Sequence, residues 1–189
     1  MQQLNVWMQM SLDGYGSGPE GAFDWPVMET ELQWYGIEHL GRAGAFLYGR
    51  RVFEMMAGFW PTADTLPGPA GFHHEFARIW RPKPKYVVSR TLDRADWNTT
   101  VLPGGDGLAE QIERAKAQDG GGIYCFGGPE LVQELSRRGL VDVYHLFVHP
   151  VALGGGAAIF ADLPGRLGFK LADAHTFDSA VVGLRYEKK

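Results

Sequence analysis

Three short stretches put glycine, arginine or serine where an apolar run gives way to a helical pattern, and such places bind anions. Gly49-Arg50-Arg51 follows the run Ala45–Tyr48. The first turn of a helix exposes unpaired N–H groups and the positive end of the helix dipole. An arginine there adds a planar fork that matches phosphate oxygens. Val88-Ser89-Arg90 ends a second apolar run. A hydroxyl beside a guanidinium suits a phosphate on a nucleotide ribose, such as the 2′-phosphate of NADP. Phe126-Gly127-Gly128-Pro129 ends a third run and opens a proline-started helix. Paired glycines remove side chains where a pyrophosphate must approach backbone N–H groups. Each stretch also has a plainer reading: a turn glycine with solvated arginines, an ordinary strand end, a tight strand–helix connection. Their recurrence behind three parallel-strand candidates argues for a dinucleotide laid across one sheet edge, since ligands of α/β sheets gather at the carboxyl ends of strands.

Other motifs carry less. Gly16-Ser17-Gly18-Pro19-Glu20-Gly21 matches G-x-G-x-x-G, but Pro19 lies inside it and Asp24-Trp25-Pro26 follows, so the third glycine opens no helix. It reads better as a glycine loop beside a ligand. His145 and His149 are four apart on a strand pattern, where they make no helical metal pair and read as structural or surface histidines. His73-His74-Glu75 lacks the second histidine of a zinc protease motif, and no phosphate-loop lysine motif is present. The single cysteine, Cys125, sits in an apolar run and reads as buried and inert. No metal site is expected.

The elements that must position these residues follow from periodicity. Leu4–Met10 alternates as a strand with Leu4, Val6, Met8 and Met10 on one face. The segment from Leu12 to Pro26 reads as a loop, and Met28–Arg42 as a helix. Arg50–Met56 and Phe72–Trp80 read as helices, with a proline-bearing loop over Pro61, Pro67 and Pro69 between them. Lys85–Val88 and a stretch near Trp97–Leu102 read as strands. Leu108–Gln118 is an amphipathic helix, Ile123–Phe126 a buried strand, and Pro129–Arg138 a helix with proline in its first turn and Gly139 past its end. Val141–Val148 alternates again. Pro150–Phe160 is a second glycine-rich loop, and Phe169–Phe177 with Ala180–Glu187 reads as a strand pair turning at Asp178-Ser179. The order predicts an α/β fold with a mostly parallel sheet and an antiparallel C-terminal pair, in one domain over residues 1–189.

Composition narrows the class. Of 189 residues 26 are glycine, against the usual ~7%, without the period of collagen. A formal net charge of −4 leaves no basic footprint for nucleic acid. No apolar run reaches the ~18 residues of a membrane span, and the first residues do not read as a signal peptide. A cytoplasmic protein without nucleic-acid or membrane partners is expected.

Six segments occur in an order that resembles a known family. They are Met10-Ser11-Leu12-Asp13-Gly14, Tyr48-Gly49-Arg50-Arg51-Val52-Phe53-Glu54, Val87-Val88-Ser89-Arg90-Thr91-Leu92, Phe126-Gly127-Gly128-Pro129-Glu130-Leu131, Gly139-Leu140-Val141-Asp142 and Pro150-Val151-Ala152-Leu153-Gly154-Gly155-Gly156. Together they resemble the dihydrofolate reductase-like superfamily in its riboflavin-biosynthesis reductase branch, the RibD C-terminal domain family, over nearly the whole chain. The resemblance implies the three-layer dihydrofolate reductase-like fold and NADPH as cofactor. It implies cofactor contacts at Gly49, Arg50, Arg51, Ser89, Arg90, Phe126, Gly127 and Gly128, with the phosphates near the glycine, serine and arginine positions. It also implies that Asp13 faces the substrate side.

The activity so implied is an NADPH-dependent reductase of a small heterocycle, most like the 5-amino-6-(5-phosphoribosylamino)uracil reductase. The Asp13–Trp25 loop would close over the nicotinamide. Reduction of a C=N bond also needs a proton; Asp13 is the first candidate to orient substrate or to donate through water, with Asp24, Glu29 and Glu31 behind it. Two positions depart from the branch: Cys125-Phe126 stands where a Glu often precedes the paired glycines, and Val141-Asp142-Val143 replaces Val-Asp-Glu. A dihydrofolate or other pterin reductase and a non-catalytic nucleotide-binding module therefore stay open. A homodimer through a sheet edge or the C-terminal strand pair follows by family analogy.

Overall fold

A computed structural model describes residues 1–66 and 71–189. The chain starts with strand β1 (Leu4–Ser11) and the short strand β2 (Tyr15–Ser17). Helix α1 (Thr30–Gly41), strand β3 (Ala45–Gly49), helix α2 (Arg50–Phe59) and helix α3 (Phe72–Trp80) follow. Next come strands β4 (Lys85–Val88) and β5 (Thr99–Leu102), helix α4 (Leu108–Lys116), strand β6 (Ile123–Cys125) and helix α5 (Pro129–Arg137). Strand β7 (Val143–His149), the two-residue β8 (Ala157–Ala158), and strands β9 (Phe169–Thr176) and β10 (Val182–Lys188) close the chain. Eight of the strands make the main sheet, mostly parallel with antiparallel C-terminal strands, as the element order predicts.

The differences from the sequence reading are local. The predicted loop of residues 12–26 holds β2 and a 3-10 turn at Pro19–Gly21, and the loop of residues 150–160 holds β8. Strands of two or three residues have no periodicity to read; these two exist because they pair with each other, Tyr15 with Ala158 and Ser17 with Ala157. The third glycine of the G-x-G-x-x-G match opens no helix, as expected. Trp60–Thr65 forms a 3-10 stretch, while Pro67 and Pro69 lie outside the described residues. Among the described residues no helix is long and apolar enough to cross a membrane.

The described residues fall into two compact units, Met1–Gln2 with Glu29–Tyr124, and Gln3–Met28 with Cys125–Lys189. In the first, β3 and β5 flank β4 in parallel, with Gly49 opposite Val88 and Val88 opposite Leu102. Its core is aromatic. The buried Trp80 indole N–H donates to the Tyr48 hydroxyl at 3.1 Å, and the Lys85 ammonium lies 4.0 Å from the centre of the Trp80 ring. Lys85 is buried, and its ammonium donates to the carbonyls of Lys83 and Trp97 at 2.8 and 2.9 Å. Burial lowers its pKa to about 8.

In the second unit β1 runs parallel to β7, from Asn5 opposite Val143 to Ser11 opposite His149. β10 pairs antiparallel with both β7 and β9. The alternation along β1 predicts one exposed face. Asn5 and Trp7 on that face are nevertheless buried, Trp7 against the rings of His145 and Phe147. A central strand is covered on both sides, which alternation alone does not reveal. Asp142, from one of the quoted segments, is structural: its carboxylate accepts the Leu4 N–H at 2.7 Å.

Candidate functional site

In the first unit two of the three predicted anion junctions come together. α2 starts directly after β3, with Gly49 as its N-cap, no side chain capping its first turn and no acid within that turn. Its first N–H groups therefore point outward without a side-chain acceptor. Arg50 reaches across: Nη1 donates to the Thr91 hydroxyl at 2.7 Å, and Nε donates to Glu54 at 2.7 Å. Thr91 lies two residues beyond Ser89. Ser89 is buried, and its Oγ accepts the N–H groups of Thr91 and Leu92 at 3.2 and 3.1 Å. That hydroxyl turns the chain at the end of β4. Arg51 and Arg90 are exposed. Helix terminus, hydroxyl and guanidinium are groups able to bind a dianionic phosphate.

The third junction, Gly127-Gly128, belongs to the second unit. Gly127 has φ of +80°, a region that side chains rarely adopt, and an added Cβ would lie 3.3 Å from Met8 Sδ. The Gly127–Gly128 peptide is cis. Gly128 caps α5, its carbonyl accepting the N–H groups of Leu131 and Val132, with Pro129 in the first turn as predicted. Phe126 beside it is half-buried.

Asp13 is fully engaged. Its Oδ1 accepts the Ser11 hydroxyl at 2.6 Å and the Leu153 N–H at 3.0 Å; its Oδ2 accepts the Gly154 N–H at 2.7 Å. The Ser11 hydroxyl first, and then the two amides, lower its pKa to about 2. Such a carboxylate is ionised throughout the neutral range and has no proton to give. Gly154, without an assigned role in the sequence, thus belongs to an Asp13 clamp. Gly156 completes it: φ is +128°, and a Cβ there would stand 2.0 Å from the Ser17 carbonyl oxygen. With β2 paired to β8, the first part of the expected moving loop is pinned.

The other candidate acids are exposed, as Asp13 is. Asp24 is exposed; Glu29 caps α1 and Glu31 lies in its first turn, both exposed. Trp25 is half-buried, edge-on to Phe23 and His149 at 5.7 and 5.5 Å, and its indole N–H is buried without a hydrogen-bond partner. Cys125 is buried, and burial pushes its thiol up to about 12, so it is inert as expected.

Residues 2–182 match the RibD C-terminal domain family. The chain belongs to that family. A relative from Bacillus subtilis (strain 168), the uncharacterised protein YyaP, is 30% identical over 179 residues, covering 95% of this chain and 91% of its own. A second, YwjB, is 24% identical over 184 residues, covering 93% and 92%. A solved structure of a putative riboflavin biosynthesis protein from Shewanella sp. PV-4 superposes with a TM-score of 0.73 at 21% identity, over 100% of this chain and 99% of that one. The deaminase/5-amino-6-(5-phosphoribosylamino)uracil reductase of Thermotoga maritima gives 0.68 at 14% identity, over 100% of this chain but 57% of that one. Dihydrofolate reductase from Enterococcus faecalis, solved with NADP(H), gives 0.64 at 15%, over 99% and 96%. At these identities the likeness is one of fold. The RibD C-terminal domain here has the dihydrofolate reductase-like fold, and two of these neighbours are reductases by name.

Three contributors escaped the sequence reading. Thr91 appeared only as part of a quoted segment, although it is the partner that fixes Arg50. Gln9 read as the polar face of a strand. His149 is structural, as read, but its partner Val27 lies 122 positions away. No local pattern signals a contact of that separation.

Proposed function

We propose that this protein is an NADPH-dependent reductase of a small heterocycle, of the aminouracil-riboside type. The observation that carries the reading is the cradle at the start of α2. An uncapped helix terminus, Arg50 braced on Thr91, and a buried Ser89 hydroxyl form a fixed donor set, suited to a ribose 2′-phosphate. Those residues, with Arg51 and Arg90, would hold that phosphate. Gly127 and Gly128, with Phe126 before them, keep the role the family resemblance implies, near the cofactor. Bound NADPH would supply the hydride.

On this reading Asp13 is not the acid. It remains an anion and holds Ser11, Leu153 and Gly154 in place, fixing the turn after β1. The proton comes from solvent or from a carboxylate in contact with it, Asp24 or Glu31. β9 ends the strand order with seven of its eight residues exposed, and a second copy pairing there makes the expected homodimer. Light scattering tests that assembly.

The functional test is a titration of NADPH against NADH by cofactor fluorescence, followed by NADPH oxidation with aminouracil ribosides, pterins and dihydrofolate. Tight NADPH binding with turnover of an aminouracil riboside supports the proposal. Turnover of dihydrofolate assigns the pterin branch instead. Binding without turnover on any of them makes the chain a nucleotide-binding module.

A further inference from the structure

His149 closes β7, and its side chain is fully buried. Two hydrogen bonds hold the ring. The backbone N–H of Val27 points at Nδ1 at 3.0 Å, and Nε2 lies 2.6 Å from Oε1 of Gln9 on β1. An amide N–H can only donate, so Nδ1 keeps its lone pair. The neutral ring then carries its proton on Nε2 and donates it to Gln9. One tautomer satisfies both partners; a doubly protonated ring would lose Val27.

The segment so held has no regular structure of its own. Residues 22–29 form neither helix nor strand, so their course depends on what they are tied to. Trp25, two residues before Val27, meets the His149 ring edge-on at 5.5 Å. The same ring therefore fixes the backbone of the segment at one point and its largest side chain at another.

We propose that His149 is a positioning residue: its neutral ring latches the Trp25–Val27 segment to the ends of β1 and β7, and so sets the wall that this segment offers to substrate. The inference rests on the reading above, in which Asp24, the residue before Trp25, is a candidate proton source for the substrate.

The latch is tested without turnover by fluorine NMR of the full chain labelled with 5-fluorotryptophan. Trp25→Phe assigns the Trp25 resonance. In His149→Leu that resonance moves and broadens while the other five tryptophans keep their positions. In His149→Asn, whose amide oxygen can accept from Val27, it returns toward the wild-type position. Gln9→Met removes only the second partner of the ring and gives a smaller displacement. A Trp25 resonance unmoved in His149→Leu overturns the proposal, as does one displaced equally in the Leu and Asn variants. Should His149→Leu not fold, an unmoved resonance in Gln9→Met overturns it equally. With a substrate in hand, His149→Leu raises KM about tenfold with kcat little changed, and Asn recovers most of that loss. Absence of NADPH binding would defeat the functional reading alone; a Trp25 signal indifferent to His149 would defeat the latch even in an active reductase.

Discussion

The end of β3 and the turn after β1 look alike in sequence: each follows a parallel strand, carries a glycine and presents a charged side chain. Their polar groups are used in opposite ways. At the start of α2 the helix terminus is uncapped, and Arg50, braced by Thr91 and Glu54, stands among exposed arginines. Around Asp13 a hydroxyl and two amides from its own chain donate to the carboxylate. The first arrangement leaves its helix terminus without a side-chain acceptor; the second uses its polar groups to hold its own loops. A charged residue in a glycine-rich turn is thus read as functional or structural from which of its partners are already present.

The contrast can be broken at several points. The largest effect is expected from Gly156→Ala. A methyl group 2.0 Å from the Ser17 oxygen, on a backbone with positive φ, must displace the clamp, and ~3 kcal/mol of stability is lost; denaturant unfolding measures it. The pH dependence of stability tests the same unit. Unfolded, His149 takes up a proton near pH 6.5, whereas burial holds its folded pKa down to about 4. The unfolded chain binds more protons between those values. The stability that His149 contributes is complete above pH 6.5 and is lost as pH falls toward 4, ~3 kcal/mol at most. His149→Asn flattens that slope.

In the open cradle, Arg50→Ala should weaken NADPH binding about tenfold, ~1.4 kcal/mol, and leave NADH binding and thermal stability nearly unchanged. Asp13→Asn should do the reverse. It lowers the thermal midpoint at pH 7 and leaves the NADPH Kd nearly as it was. Its folded pKa is lowered from 3.8 to about 2, so the deficit is full above pH 3.8 and closes as pH falls toward 2. The smallest effect concerns Cys125, whose buried thiol should resist alkylation in the native protein and react only after unfolding.

Most of the architecture was legible because it rests on long periodic segments and local punctuation. α3 and β4 lie where Phe72–Trp80 and Lys85–Val88 predict, and Pro129 and Gly139 bracket α5. The two junctions that meet in the first unit were legible for a similar reason: glycine, serine and arginine at a strand end form a local pattern. What stayed hidden depends on distant pairing. Neither β2 nor β8 exists without the other. The glycines at 154 and 156 acquire roles only once Asp13 and Ser17 lie beside them. Asp13 was a candidate to orient substrate or donate a proton because residue type and position are visible in sequence, whereas its bonds to the Leu153 and Gly154 amides are not.

The most direct test of the cradle is a paired titration of the wild-type protein with NADPH and NADH at low salt. The account predicts saturable NADPH binding at least tenfold tighter than NADH, with the difference abolished in Arg50→Ala. Equal affinity for the two nucleotides, or a preference that survives Arg50→Ala, would contradict it.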